Sequence, residues 1–183
     1  MRPSWDEYFM VMAKAASTRS TCNSRPTGAV LVRDKRILVT GYNGAVPGAP
    51  HCTDQISPDG APFCFRRSCG APEKDKYNYC RSAHAEANAI AQAARTGVSV
   101  LGATAYVTLA PCYVCFKLLA VAGIKGIFYE LGYKSEDEFR DQHWAMAFEQ
   151  SNVEHCTQLK LSHDVVTQVV GAMKGITSRR MLG

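Results

Sequence analysis

The sequence predicts an α/β fold in which a mixed sheet of about five strands has helices packed on both faces. Segments with the apolar, β-branched character of strands alternate with segments of helical periodicity over most of the 183 residues. The first two strand segments are separated only by a tight turn, so we expect them to pair antiparallel. The later strand segments are connected through helices, which is typical of parallel pairing.

The N-terminal part of the chain is predicted to form a helix followed by a hairpin. Ser4 and Glu7 have the spacing of a capping box. Apolar side chains then recur at helical spacing, at Trp5, Phe9, Met12, Ala13 and Ala16. Residues 28–32 and 37–42 have strand character, with the turn at residues 34–35.

Residues 43–80 form a long segment of a different kind. They contain most of the prolines and four of the cysteines, and they show no periodicity. Loops of this length are usually functional or are fixed by an additional interaction, and a bound metal ion could fix this one.

Regular periodicity returns after residue 80. Helices are predicted at 83–95, from Pro111 to about residue 122, at 136–150 and at 165–173, and strands at 105–109, 126–131 and 153–161, the last at an edge. Gly97 and Gly123 are expected to end the first two of these helices.

Composition and charge limit the function classes. A chain of 183 residues with 46% apolar residues suits one globular domain, 1–183, and no run approaches the roughly 20 apolar residues of a membrane span. The polar N-terminus does not resemble a signal peptide, so we expect a cytoplasmic protein without a membrane partner. The net charge of +5 suits an anionic substrate but falls short of a nucleic-acid-binding surface.

Eight cysteines in a cytoplasmic chain of this size favour metal binding or catalysis over disulfides. Cys112 and Cys115 are spaced to place both sulfurs on one face of a helix. They lie at its N-terminus, where the helix dipole and the backbone N–H groups stabilise thiolates. His84, at the start of the preceding helix, can supply a third ligand to a zinc ion. Three protein ligands leave the fourth tetrahedral position to water, whose pKa zinc lowers to about 7.

Glu86 follows His84 by two residues and has a separate predicted role. It is too close to His84 to act as an independent ligand from the same helix face. Its carboxylate can instead take a proton from the water and pass it to a ring nitrogen and then to a leaving amine. Glu86 is therefore the predicted catalytic residue.

Each motif alone has a simpler interpretation. A Cys-x-x-Cys pair could be a redox pair or half of a structural zinc site, and a His-x-Glu triplet alone is nearly meaningless. Their combination in this order, with Pro111 before the first cysteine, is specific, and it is a signature of zinc deaminases.

At these residues the chain resembles the cytidine deaminase superfamily, and within it the deoxycytidylate (dCMP) deaminases. The resemblance runs from about Trp5 to Tyr133. Its motifs are Thr-Gly-Ala-Val at 27–30, Gly-Tyr-Asn-Gly at 41–44, His-Ala-Glu-Ala-Asn-Ala-Ile at 84–90, Ala-Tyr-Val-Thr-Leu at 105–109, Pro-Cys-Tyr-Val-Cys at 111–115 and Ala-Gly-Ile-Lys at 122–125. The Gly-Tyr-Asn-Gly segment favours dCMP deaminases over nucleoside or tRNA deaminases.

The resemblance implies a three-layer α/β/α sandwich, a homo-oligomer (a hexamer built from dimers) and dCMP as substrate. It also implies that Asn43 hydrogen-bonds the substrate sugar or base and that Tyr133 approaches the nucleotide. Members of the family are often activated by dCTP and inhibited by dTTP, with Mg²⁺ accompanying the regulatory nucleotide. The substrate phosphate needs cationic partners, and Arg25 is our leading candidate.

Some members that this chain resembles hold a second, structural zinc. The candidate ligands here are four cysteines, with His51 as a substitute for one of them: Cys22, Cys52, Cys64 and Cys80. A closed shell of four soft ligands is structural rather than catalytic, and it would stabilise the long loop beside the active site. Alternatively, some of these cysteines are free thiols in a surface loop.

The predicted function is hydrolytic deamination of dCMP to dUMP and ammonia, a step that precedes thymidylate synthesis. One alternative is another zinc deaminase, acting on nucleosides, pterin or flavin precursors, or tRNA. A second is a non-catalytic zinc-binding accessory protein of nucleic-acid metabolism, against which the presence of Glu86 argues. A third is a disulfide oxidoreductase using Cys112 and Cys115, which would need no metal.

Overall fold

The computed structural model describes residues 2–72, 78–132 and 138–179, with side chains described as far as residue 173. Five strands form the main sheet in the order β2-β1-β5-β6-β7. Their bounds are Gly28–Arg33 for β1, Arg36–Tyr42 for β2, Thr104–Leu109 for β5, Gly126–Leu131 for β6 and His155–Gln158 for β7. The mixed sheet of about five strands is therefore confirmed.

Strand direction follows the length of each connection. β1 is antiparallel to both β2 and β5, whereas β5, β6 and β7 run parallel. In the tight turn between β1 and β2, Asp34 and Lys35 have φ values of 52° and 59°. Two successive left-handed residues give a hairpin turn whose twist matches that of the strands it joins.

Helices cover both faces of the sheet, and the alternation of side chains in β1 shows why. Val30 and Val32 face helix α1 (Trp5–Ser17) in a cluster with Phe9, Met10 and Tyr106. The neighbouring Ala29 and Leu31 face the opposite layer. Because both sets of β1 side chains are apolar and buried, the sheet needs a helical layer on each side.

The second helical layer contains α3 (Ala85–Thr96), α4 (Tyr113–Val121) and α5 (Glu138–Glu149). Phe116 of α4 is 1% exposed and contacts Trp144 of α5, with 5.0 Å between the ring centroids. The last helix, α6 (His163–Arg179), contacts α1 on the other face. The architecture is thus a three-layer α/β/α sandwich.

The long segment contains little regular structure, as the sequence predicts. A two-residue strand, β3 (Gly44–Ala45), pairs with β4 (Ser82–Ala83), and α2 (Phe65–Ser68) is a single turn. The β3–β4 pair joins the two ends of the segment, because Gly44 lies opposite Ala83. It also places the end of β2 beside the residues that lead into α3.

The observed bounds of three helices differ from the predicted ones. α3 begins at Ala85 and α4 at Tyr113, so His84 and Cys112 are N-cap residues in extended backbone and not part of the first helical turn. α6 extends well beyond the predicted 165–173. No helix in the described ranges has the length and apolarity needed to cross a membrane.

Candidate metal centre and active site

His84 and Cys112 occupy equivalent positions, each following a strand and preceding a helix. Their backbone angles are φ −72°, ψ 156° and φ −68°, ψ 166°, and neither side chain caps its own helix. Serine, threonine, aspartate and asparagine are the preferred N-cap residues, because their side chains accept from the first backbone N–H groups of the helix. Here the two N-cap side chains are instead directed toward each other, where they can share a ligand.

The three predicted zinc ligands converge. His84 Nδ1 lies 3.5 Å from Cys112 Sγ and 3.4 Å from Cys115 Sγ. All three ligand atoms lie within 4.8 Å of one another, and no other such group of His, Cys, Asp or Glu occurs among the described residues. In a tetrahedral zinc site with ordinary bond lengths, nitrogen and sulfur ligands are about 3.5 Å apart. The observed spacing therefore fits a zinc ion.

The thiols of Cys112 and Cys115 have pKa values shifted in opposite directions. The pKa of Cys112 is lowered, chiefly because the Cys115 thiol donates a hydrogen bond to it, with His84 adding to the effect. The pKa of Cys115 is raised because it donates that bond and is buried. Hydrogen bonding to Cys112 in turn raises the pKa of His84. The cluster thus favours one thiolate even before a cation arrives.

Glu86 lies in the first turn of α3 and is 4% exposed. Burial, the largest contribution, raises the pKa of its carboxyl to about 7. A hydrogen bond with the Cys115 thiol and the charge of His84 act on the same carboxyl, which locates it at the edge of the metal cluster. A carboxyl group with a pKa near neutrality can both accept and return a proton, as a general acid–base group must.

The position of α3 depends on a close approach to β2. A Cβ added at Gly41 would overlap the carbonyl oxygen of Ala85 and come within 2.8 Å of the Ala89 nitrogen. One turn further along α3, Asn88 donates a side-chain hydrogen bond of 2.8 Å to the carbonyl of Tyr42. These contacts hold the N-terminus of α3, and with it His84 and Glu86, against the end of β2.

The predicted substrate-binding residues are placed unequally. Asn43 is 9% exposed and adjoins Gly44, which pairs with Ala83 immediately before His84. Arg25 is exposed, and no described residue forms a hydrogen bond or ion pair with its guanidinium. Tyr133 lies outside the described residues.

The cysteines predicted to bind a second zinc lie on neighbouring segments, but their sulfurs do not form a ready cluster. All eight cysteines are free thiols, and no three ligand atoms from this set lie within 4.8 Å of one another in the described structure. Their segments are nevertheless held together. Asn23 donates to the carbonyls of Cys52 and Phe63, at 2.8 and 3.2 Å. The adjacent His51 has a buried Nδ1 without a hydrogen-bond partner.

Sequence reasoning missed the polar residues that organise these loops. Ser20 and Asn23 connect the segment after α1 to the residues around Asn43, Cys52 and Phe63. The one available signal was the run of Ser, Thr and Asn at residues 20–24, because such side chains often bond to nearby backbone. That signal does not identify which distant carbonyls they reach.

Comparison with known proteins gives a consistent result. The family model of the cytidine and deoxycytidylate deaminase zinc-binding region matches residues 3–131. The deoxycytidylate deaminase of Mycobacterium phage D29 is 44% identical over 133 residues, which cover 70% of this chain and 95% of that enzyme. ComE operon protein 2 of Bacillus subtilis is 40% identical over 135 residues, 73% of this chain but 63% of that protein's length.

A solved structure matches at the level of the fold and, more weakly, of the sequence. It is the dCMP deaminase from the cyanophage S-TIM5 in complex with dCMP and dUMP, with a TM-score of 0.62 and 28% identity. The match covers 86% of this chain and 98% of that one.

Proposed function

Because this chain belongs to the cytidine and deoxycytidylate deaminase family with its zinc-binding region, we propose that it is a zinc-dependent hydrolase that converts dCMP to dUMP and ammonia. The observation that carries the proposal is the convergence of His84 Nδ1 with the sulfurs of Cys112 and Cys115 beside a buried carboxyl. The relatives named as deoxycytidylate deaminases favour dCMP as the substrate.

His84, Cys112 and Cys115 would hold the zinc ion as three protein ligands. Zinc bound in this way supplies Lewis acidity, which lowers the pKa of a water molecule to about 7. Glu86 is the residue to which we assign proton transfer. It accepts one from the attacking water as oxygen adds to C4 of cytosine, and delivers it to N3.

Glu86 then takes the remaining proton from the oxygen now bonded to C4 and delivers it to the amino group, so that the C4–N bond breaks and ammonia leaves. Oxygen remains on C4, and the product is dUMP. The buried carboxyl suits this relay because its raised pKa, about 7, allows both protonation states near neutral pH.

The direct test is an assay of ammonia release by the zinc-loaded protein on dCMP, cytidine and a tRNA. We expect release from dCMP, with little from cytidine because it lacks the phosphate. Release from cytidine alone would overturn the nucleotide assignment, and release from tRNA alone would favour the alternative deaminase class.

The alternative from the sequence is a non-catalytic zinc-binding accessory protein. A zinc-binding accessory protein would bind the metal through the same three ligands but show no turnover on any of the three substrates. The buried Glu86 argues against this alternative, because a purely structural zinc site has no use for a carboxyl beside its ligands.

For phosphate recognition we propose Arg25, together with Tyr133 as a nucleotide contact and Asn43 as a sugar or base contact. Arg25 is exposed, and its backbone carbonyl accepts a hydrogen bond of 3.0 Å from Asn43 Nδ2, so the two proposed contact residues are neighbours. Arg25→Gln should raise KM for dCMP while leaving the weak activity on cytidine unchanged.

A second, structural zinc held by Cys22, Cys52, Cys64 and Cys80, with His51 as a substitute, remains a proposal. The buried, unpartnered Nδ1 of His51 and the clamp made by Asn23 support it. Metal analysis should find two zinc ions per chain. Cys52→Ser should leave one, whereas Cys69→Ser, at an exposed cysteine, should leave two.

We also propose that the chain self-associates, and an exposed apolar stripe on α4 supports this; the hexamer itself is implied only by the family resemblance. Val114, Leu118 and Val121 follow one another at helical spacing and are 60%, 40% and 89% exposed. Light scattering of the wild type and of Val121→Glu tests this. Regulation by dCTP and dTTP with Mg²⁺, and a cytoplasmic location, stay predictions from the sequence.

A further inference from the structure

Asn43 is held by a set of hydrogen bonds that involve both ends of its side-chain amide. Oδ1 accepts from the backbone N–H of Thr27 at 2.8 Å and from the Ser20 hydroxyl at 2.6 Å. Nδ2 donates to the carbonyl oxygen of Arg25 at 3.0 Å. With Asn43 only 9% exposed, these bonds determine what the amide can offer to a ligand.

The orientation of the amide is fixed by backbone groups that cannot exchange roles. A flipped amide would bring its NH₂ against the Thr27 N–H and its oxygen against the Arg25 carbonyl. Two donors would then face each other, as would two acceptors. The two backbone partners therefore assign the oxygen and nitrogen positions of Asn43 by chemistry alone.

Counting the bonding sites shows what remains available. A side-chain amide has two acceptor sites on its oxygen and two N–H donors. Both acceptor sites of Asn43 are used, one by Thr27 and one by Ser20, and one donor is used by Arg25. None of the described residues accepts from the second N–H. Asn43 can therefore act toward a ligand only as a donor.

Ser20 is the side chain that occupies the second acceptor site of the Asn43 amide, whereas the other two partners are backbone groups. Its hydroxyl lies 2.6 Å from Asn43 Oδ1 and 3.0 Å from the Asn43 carbonyl oxygen, and it accepts from the backbone N–H of Cys22 at 3.1 Å. The next residue, Thr21, donates its backbone N–H to the same Asn43 carbonyl at 3.2 Å. The turn after α1 therefore hydrogen-bonds Asn43 through both Ser20 and Thr21.

We propose that Ser20 is a positioning residue: it fills the last acceptor site of the Asn43 amide and leaves one N–H to donate to an acceptor oxygen or nitrogen of the bound nucleotide. The proposal rests on the proposed function, because it takes Asn43 as a nucleotide contact. It adds the direction of that hydrogen bond and the residue that imposes it.

Without the Ser20 hydroxyl, Asn43 Oδ1 would have an unfilled acceptor site and a less constrained side chain. A donor held loosely binds the nucleotide less well before and during the reaction alike, so KM rises while kcat is retained. Loss of one neutral hydrogen bond of this kind corresponds to roughly a threefold to tenfold rise in KM.

The experiment measures kcat and KM for dCMP, together with the dissociation constant of dUMP, in the zinc-loaded wild type, Ser20→Ala and Ser20→Thr. Ser17→Ala is the matched control, because the Ser17 hydroxyl bonds only to the Lys14 carbonyl of its own helix, at 2.7 Å. We expect Ser20→Ala to raise KM and weaken dUMP binding by that factor with kcat within about twofold, Ser20→Thr to restore both, and Ser17→Ala to match the wild type.

Three outcomes would overturn the proposal. These are an unchanged KM in Ser20→Ala, a fall in kcat and melting temperature with KM unchanged, and an equal effect in Ser17→Ala. The second would show that Ser20 only stabilises the fold. Failure of the proposed function is separately visible, because the wild type would then release no ammonia from dCMP. If Ser20→Ala does not fold, the dissociation constants of dUMP for Ser20→Thr and Ser20→Cys are compared, since only threonine keeps a strong hydroxyl donor. Weaker binding by Ser20→Cys supports the proposal, and equal binding overturns it.

Discussion

The surroundings of Glu86 give its buried carboxyl the properties that the proposed proton transfer needs. The side chain is 4% exposed, and its burial raises the pKa of the carboxyl to about 7. A buried carboxyl without a chemical role is costly, because its charged form loses water without full compensation. Here the charge of His84 and a hydrogen bond with the Cys115 thiol favour the charged form and offset part of that cost.

Glu86→Gln removes the proton relay but none of the metal ligands. We expect zinc content equal to that of the wild type and a fall in kcat of at least about a hundredfold, the usual contribution of a general acid–base group. Metal analysis and steady-state kinetics check this, with Glu149→Gln on the exposed side of α5 as the control. Undiminished turnover would remove Glu86 from the mechanism.

Among single residues, the sequence identified the cluster of potential zinc ligands but not the residues that position Asn43. The spacing of His84, Glu86, Cys112 and Cys115 sufficed because zinc chemistry restricts the residue types that can take each part. The role of Ser20 was not predictable, because its partner Asn43 is 23 residues away and a serine hydroxyl has no preferred partner. Only the path of the backbone brings the two together.

Close helix–strand approaches determine where α3 carries its functional residues. Gly41 lies against the backbone of Ala85 and Ala89, where no side chain fits. Gly41→Ala should therefore displace the start of α3 and cost roughly 2 kcal/mol of stability, as overpacking of a tight contact does.

Thermal unfolding and zinc affinity measure the effect of Gly41→Ala, and both should fall. Gly171→Ala is the control: it makes the same change in α6, where an added Cβ meets nothing within 4 Å. It should be neutral or slightly stabilising, because alanine is the better helix former. Equal melting temperatures for Gly41→Ala and the wild type would contradict the close approach.

The N-terminus of α1 makes a pH-dependent contribution to the stability of the fold. Ser4 and Glu7 form a capping box, with hydrogen bonds of 2.7 and 3.2 Å, and the bond from the Ser4 backbone lowers the pKa of Glu7. A carboxyl with a lowered pKa in the folded state stabilises the fold above its unfolded pKa, about 4.3, and loses that contribution as the pH falls through the folded value.

Melting temperatures from pH 7 to pH 3 test the capping box. The wild type should be more stable than Glu7→Gln at pH 7, and the difference should disappear at acid pH. Ser4→Ala should cost about 1 kcal/mol at pH 7 and should reduce the pH-dependent difference between Glu and Gln at position 7. A stability difference between Glu7 and Gln that does not shrink as the pH falls would contradict the assignment.

Among the elements, those with strong periodicity or clear boundary residues were predicted well. The capping box begins α1, Gly97 ends α3 in a left-handed conformation, and the turn at Asp34 joins β1 and β2 as expected. The start of α4 was placed too early, at Pro111. The reason is that Cys112 occupies the N-cap in extended backbone. Helix propensity does not indicate this position, which directs the sulfur toward His84.

Across the whole molecule, strands of two different sheets bring His84 together with two cysteines that lie 28 and 31 residues further along the chain. β4 and β5 deliver His84 and Cys112 to the same region, and apolar layers on both faces fix the helices that follow. The strand order could be predicted only in outline, because the central position of β5 depends on antiparallel pairing with β1 across a long segment.

Metal binding should also contribute to the stability of the whole fold. Chelation leaves three potential ligands within hydrogen-bonding distance but without a cation. The folded state then loses the free energy of metal binding that favours it over the unfolded state. We expect the melting temperature to fall on removal of zinc and to recover when zinc is returned. An unchanged melting temperature after complete zinc removal would show that the cluster is not coupled to folding.

The most direct measurement is anomalous diffraction at the zinc edge from crystals of the zinc-loaded protein. We expect a peak within about 2.3 Å of His84 Nδ1, Cys112 Sγ and Cys115 Sγ, with the fourth position filled by water or a ligand and Glu86 beside it. A fourth protein side chain on that ion, or these three side chains bound to different ions, would contradict the proposed hydrolytic site.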